Sequence, residues 1–186
     1  TVVQMTAKDW DAAAAALDLA DESAETHKLY GLENPKTERY GRRCLIARRL
    51  VERGVRFVQI FVQGQIWDTH NKNAEGTKNC CQETDQPTAA LLKDLKRRGL
   101  LDETLIVWCG EFGRKPTRDR NSNDSEKAGR DHNAKAFSVV MAGSGIKGGT
   151  VHGATDEFGG AAVKDKVHPH DLHATILQCM GMDHTK

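Results

Sequence analysis

No stretch of this sequence approaches the ~18 apolar residues of a membrane-spanning helix. Charge of one sign is also lacking: 27 Lys and Arg stand against 26 Asp and Glu, for a formal net charge of +1. The first lack argues against a membrane-spanning protein. The second argues against nucleic acid or a membrane surface as partner, since neither would meet a strong field. Cys-x-x-Cys spacing is missing among the five cysteines, which removes the usual zinc and redox motifs. Cys44, Cys109 and Cys179 sit in apolar stretches and read as buried small hydrophobes, and the adjacent Cys80 and Cys81 read as two unlinked thiols. The start shows no basic region followed by an apolar stretch, so no export signal is read there. Thr1 in place of an initiator Met reads as the start of a processed or partial chain, and an exported parent protein is compatible with that. There is no internal repeat.

What is present is a globular composition, 38% hydrophobic and 28% charged, on 186 residues, enough for one domain with a core. Residues 6–28 are expected to be helical from the run Ala12 to Ala16, with Thr6 or Asp9 as cap. Residues 37–53 make a stronger helix, with an apolar stripe of Cys44, Leu45, Ala47, Leu50 and Val51. Arg42, Arg43, Arg48, Arg49 and Arg53 are expected to form its solvated face. Val55–Val62 (VRFVQIFV) and Thr104–Cys109 (TLIVWC) read as strands covered on both faces. Residues 63–85 read as a polar loop and 86–98 as a helix, which implies a parallel crossover between those two strands. Residues 110–133 form a long polar segment with no crossover helix, so the third strand, 136–142 (AFSVVMA), is expected to run antiparallel. A last helix covers 171–181 with Asp171 as N-cap.

Chemistry-bearing residues gather past the ends of these strands, where open α/β sheets collect ligands. In Trp67-Asp68-Thr69-His70, extended backbone points Asp68 and His70 the same way, so they either converge on one ion or serve as turn and cap residues. Glu111 emerges between Gly110 and Gly113 just beyond the second strand, as a ligand or as a surface partner of Arg114. His132, in GRDHN, enters the same edge if the next strand is antiparallel; otherwise it is a loop residue. His152 lies in a Gly-rich loop, and His170 stands beside Asp171, where it could orient a ligand. No nucleophile elbow and no phosphate-binding loop is found.

The segments WDTHNKN, LLKDLKRRGLLDETLIVWCGEFGRKP, GRDHNAKAFSVVMAGSGIKGGTVHGATDEFG and HPHDLHATILQCMGMDH, in this order, resemble the family catalogued as domain of unknown function 1501. The resemblance covers residues 55–186 and is looser over 1–54. That family is similar in its later half to the alkaline phosphatase and sulfatase superfamily. The resemblance implies a three-layer alkaline-phosphatase-like α/β fold with a mixed sheet, truncated on its N-terminal side, with 1–54 as a helical lead-in. It implies Asp68, His70 and His132 as ligands of a divalent metal (zinc, manganese or calcium) and Glu111 as an acidic ligand of a second. Phe112 stands where the superfamily has a histidine, so a two-metal site is not expected. Arg114 and Arg130 become clamps for the anionic group of a small ester, with Asp131, His152 and His170 behind the ligands. The implied function is a metal-dependent hydrolase of phosphate or sulfate esters whose nucleophile lies outside this chain; the alternative is a non-catalytic relative serving as a binding or structural module. A truncated sheet is also expected to self-associate.

Overall fold

A computed structural model describes residues 2–3, 10–119 and 127–185. It is mixed α/β, with five helices and small antiparallel sheets. The chain divides into two compact units: Thr1–Asp68 with Ala74–Leu100, and Thr69–Asn73 with Leu101–Lys186.

Among its described residues the first unit holds four helices: α1 (Trp10–Leu17), α2 (Ala24–Leu29), α3 (Glu38–Glu52) and α4 (Asn73–Arg97). It also holds one two-stranded ribbon, in which β1 (Val2–Val3) pairs antiparallel with β2 (Val58–Gln59). The single helix expected over 6–28 is broken in two. After Leu17 the chain turns, and Ser23 starts α2 by accepting the Thr26 N–H at 3.1 Å. Residues 6–9, with both expected caps, lie outside the described residues.

The α3 stripe behaves as its spacing predicts: Cys44, Leu45 and Leu50 are buried, and Leu45 packs with Leu19, Tyr30, Tyr40 and Ala90. Two of its five arginines do not, while Arg42 is exposed as expected. Arg48 is 2% exposed and Arg49 is also buried. Arg48 lies 2.6 Å from Glu22, 2.6 Å from Glu52 and 3.1 Å from Asp94. Arg49 pairs with Glu22 and donates to the carbonyls of Ala15 and Ala16 near the C-terminal end of α1, where a helix presents unsatisfied oxygens and partial negative charge. Asp94 also accepts from Arg97, Arg98 and the Tyr30 hydroxyl. Three carboxylates thus convert an expected solvated face into a buried ionic network.

Helix α4 begins thirteen residues before the predicted start at Gln86. Its buried face is Cys80, Thr84, Pro87, Ala90, Asp94 and Leu95, which keeps helical spacing but is too polar and too small to announce itself. Val55–Val62 is also not a strand covered on both faces. Only Val58 and Gln59 pair, while Phe57 and Phe61 are exposed.

Among its described residues the second unit carries three two-stranded antiparallel ribbons and one α-helix. They are β3 (Ile106–Trp108) with β6 (Val140–Ala142), β4 (Gly113–Arg118) with β5 (Arg130–Asn133), and β7 (Ala154–Thr155) with β8 (Ala162–Lys164), then α5 (Pro169–Cys179). The antiparallel relation expected for the strands at 104–109 and 136–142 is found, with Ile106 opposite Ala142. The expected parallel crossover is not: among the described residues β2 pairs with β1 and β3 with β6. Nor is β3 covered on both faces, since Trp108 is 46% exposed and Cys109 is exposed rather than buried. Cys179 is part-buried, and all five thiols are unlinked. Helix α5 starts two residues early. His168 is its N-cap, and the predicted cap, Asp171, accepts the His168 N–H at 2.7 Å.

Candidate metal centre

The site is built on backbone pairing that the polar composition of residues 110–133 conceals. β4 and β5 place Gly113 opposite Asn133 and Arg114 opposite His132, so His132 lies within a strand rather than a loop. The segment Thr69–Asn73 lies along the other side of residues 127–130. The Arg130 N–H donates to Thr69 O at 2.9 Å, Lys72 N–H to Lys127 O at 2.8 Å and Asn73 N–H to Ala128 O at 3.1 Å. The approach is possible because residue 129 is glycine: a Cβ there would collide with the carbonyl group of His70. Lys72 completes the turn at φ 49°, a conformation that costs a non-glycine residue energy and occurs often at functional sites.

This pairing brings two imidazoles together, tilted to each other, with their Nε2 atoms opposed. His70 Nε2 lies 3.1 Å from His132 Nε2, with ring centroids 4.9 Å apart. The other His70 nitrogen, Nδ1, lies 2.9 Å from Asp119 Oδ2. Phe112 packs against the second imidazole in a tilted contact at 4.4 Å between centroids, and the Arg114 guanidinium lies over the Phe112 ring. Asp68, bonded directly to Thr69, contributes a carboxylate: one ligating atom each from Asp68, His70 and His132 lies within 4.8 Å of the others. A second group meets the same limit, His70 with Asp119 and Asp131.

The donor chemistry of the first group fits a transition-metal ion. Two imidazole nitrogens and one carboxylate suit zinc or manganese, whereas calcium prefers an all-oxygen shell. Nitrogens bound tetrahedrally at 2.0–2.1 Å stand roughly 3.3 Å apart. The observed 3.1 Å needs only a small opening to reach that spacing.

The remaining candidates stand elsewhere. Glu111 is 67% exposed on its side chain and lies 3.8 Å from Arg114. Asp131 pairs with Lys115 and accepts the His132 N–H at 2.8 Å; those hydrogen bonds hold its carboxyl below the ordinary value. Arg130 donates from its guanidinium to the carbonyl of Pro116. His152 is exposed, and His170 packs its ring against His168 at 4.7 Å. Among the described residues, none of Glu111, His152 and His170 belongs to either ligand group.

Asp119 is the member of the candidate site that sequence reasoning misses. It is 8% exposed, and its N–H donates to Gly129 O at 2.9 Å. The signal that finds it is the β4–β5 ribbon itself, since a strand over GRKPTR delivers Asp119 next to Gly129.

Fold and site together define a mixed α/β protein with a two-histidine, carboxylate-flanked cluster on a polar ribbon. The model of the family described as Protein of unknown function (DUF1501) matches residues 1–186, and the chain belongs to that family. The match includes residues 1–54, where the resemblance of motifs is loose. Comparison with curated proteins and with solved structures gave no match.

Proposed function

We propose that this protein holds one divalent transition-metal ion, zinc or manganese, on Asp68, His70 and His132, and that the site serves hydrolysis of a small phosphate or sulfate ester. The observation that carries this reading is the opposed pair of ring nitrogens, 3.1 Å apart, with a carboxylate in the same group. When bound, such an ion supplies Lewis acidity toward an ester oxygen. The chain's own residues would do the rest. Asp68 supplies negative charge that favours retention of the cation. Arg114, directly across the ribbon from His132, offers a fork of donors for the ester's anionic oxygens. Phe112, packed against the His132 ring, restricts that ring's rotation. Arg130, already engaged by Pro116, is the weaker clamp. We also read residues 55–186 as the later part of a three-layer alkaline-phosphatase-like domain; the antiparallel relation of β3 and β6 supports that reading.

The test is metal content with turnover. One equivalent of zinc or manganese and hydrolysis of aryl phosphates or sulfates are expected, both lost in His132→Ala. Turnover that survives His132→Ala and chelation would end the hydrolase reading at this site. The exposure of Glu111 favours a second reading, a module that holds one ion without turnover. Stoichiometric metal with neither ester hydrolysed would select it.

A further inference from the structure

Two ligand groups share His70, and one imidazole does not serve both equally. The choice between them follows from the contact on its other nitrogen. Asp119 is buried, and its Oδ2 stands 2.9 Å from Nδ1 of His70. A carboxylate oxygen and a bare ring nitrogen at that distance would oppose lone pair to lone pair. An ionised Asp119 therefore requires the proton on Nδ1, which leaves the lone pair on Nε2. That nitrogen is the one directed at His132. The backbone that carries this carboxylate is itself anchored: the Asp119 N–H donates to Gly129 O, and Gly129 is the residue whose missing Cβ admits the His70 backbone. One short stretch of ribbon thus fixes both the ring and the group that sets its tautomer.

The second group is disfavoured by the same contacts. An ion there would draw on the Asp119 carboxylate, which already stands 2.9 Å from Nδ1 of His70. It would also have to compete with the Lys115 ammonium on Asp131, a positive charge already in place.

We propose that Asp119 is a positioning residue that commits Nε2 of His70 to the Asp68–His70–His132 group, and that it thereby selects a zinc-type ion over an oxygen-preferring one. The inference rests on the metal-site reading above and goes beyond it by naming what chooses between the two groups. Carboxylates in this position raise the basicity of the ligating imidazole and hold its plane, and removing them typically costs about 10–100-fold in metal affinity.

The experiment uses zinc and cobalt(II) as probes, with calcium as the counter-probe. Wild-type protein is expected to bind zinc, to give the visible spectrum of four-coordinate cobalt, and to ignore calcium. Asp119→Ala is expected to weaken zinc by about 10–100-fold. Asp119→Asn should recover part of that loss, because its amide oxygen still accepts from Nδ1–H. Asp131→Asn should leave zinc affinity within about twofold, since the ion does not use that carboxylate on this reading. Nitrogen NMR of the metal-free wild-type protein supplies a readout that a merely structural role would not move: His70 should be the Nδ1–H tautomer. An Nε2–H tautomer overturns the inference whatever the variants do. An equal loss in Asp131→Asn and Asp119→Ala also overturns it, and assigns the ion to the second group. Zinc affinity abolished by His132→Ala but untouched by Asp119→Ala overturns this inference alone. No zinc bound by the wild type overturns the metal-site reading with it.

Discussion

The two units bury different things. In the first, an apolar interior of Leu19, Tyr30, Tyr40, Cys44, Leu45, Leu50, Val55 and Leu95 is shielded from solvent beside the buried charges of Arg48, Arg49 and Asp94. Among the described residues of the second unit, the buried side chains are Thr69, Asp119 and Asn133, which are polar and lie in or beside the ribbon that carries the histidines. Its apolar strands contribute half-exposed residues such as Trp108 and Val140. A hydrophobic core and a polar framework solve different problems. Burial of apolar surface stabilises without direction, at about 25 cal/mol per Å². A set of directed hydrogen bonds contributes little net stability per bond, about 0.5–1.5 kcal/mol, but fixes where each group stands. The first unit is organised for stability and the second for the placement of side chains.

The largest effect should come from breaking the first unit where charge replaces apolar contact. Arg48 meets Glu22, Glu52 and Asp94 inside the helical unit. Arg48→Met keeps much of the side chain's length but removes the cation that the three carboxylates share, leaving Glu22 to Arg49 and Asp94 to Arg97 and Arg98. The expected loss is about 3–5 kcal/mol, read from urea unfolding. A loss below about 1 kcal/mol would mean that the network relaxes toward water and that the aliphatic cluster alone holds the helices.

Acid probes the same network without a substitution. Burial by itself raises the Asp94 and Glu22 carboxyls, but their arginine partners outweigh it and hold both below their ordinary values. A carboxyl depressed in the folded state contributes stability that is fully present above its unfolded pKa of ~4. That stability is lost as pH falls through the lower folded value. Unfolding free energy should therefore be flat from neutral pH to about 5 and decline below it. Arg48→Met should flatten the decline, and an unchanged slope in that variant would separate acid sensitivity from this network.

The contrast between units also explains what the sequence makes legible. Helix α3 is readable because its aliphatic stripe keeps helical period, and the antiparallel course of β6 follows from the missing crossover helix. The first half of α4 is hidden because Cys80, Thr84 and Pro87 bury a face that does not look apolar. Arg48 and Arg49 mislead because arginine is ordinarily solvated, and nothing local announces that Glu22 and Asp94 will meet them. In the second unit and at its border, Asp68, His70 and His132 stand out in the sequence, since ligand chemistry is visible as residue type. Asp119 does not, because its role depends on a strand of charged and polar residues that reads as loop, and on Gly129, whose purpose is visible only as a forbidden Cβ.

Gly129 offers a smaller test aimed at the second unit. Gly129→Ala inserts a methyl against the His70 carbonyl, and the segment 69–73 must move away from the ribbon. The expected loss is about 1–3 kcal/mol, comparable to overpacking a core. It should appear as faster hydrogen exchange at the Lys72, Asn73 and Arg130 amides, whose bonds tie the segment down. Unchanged exchange at those amides would show that the close approach is not what holds His70.

The smallest effect is expected at Val140, and it tests the claim that the second unit does not depend on an aliphatic interior. Val140 is 54% exposed and stands opposite Trp108, on the same face of the β3–β6 ribbon. Val140→Thr preserves the branched shape and the preference for extended backbone while adding a hydroxyl. On a solvated face that hydroxyl finds water, and the change should stay within about 0.5 kcal/mol. Under an apolar partner the same hydroxyl would be stripped of water without replacement, at a cost of about 1–3 kcal/mol. A loss of that size, with a melting temperature that rises with protein concentration, would mean that a second copy covers this ribbon. The polar framework would then be only part of what stabilises the second unit, and the comparison between the units would have to be drawn on the dimer.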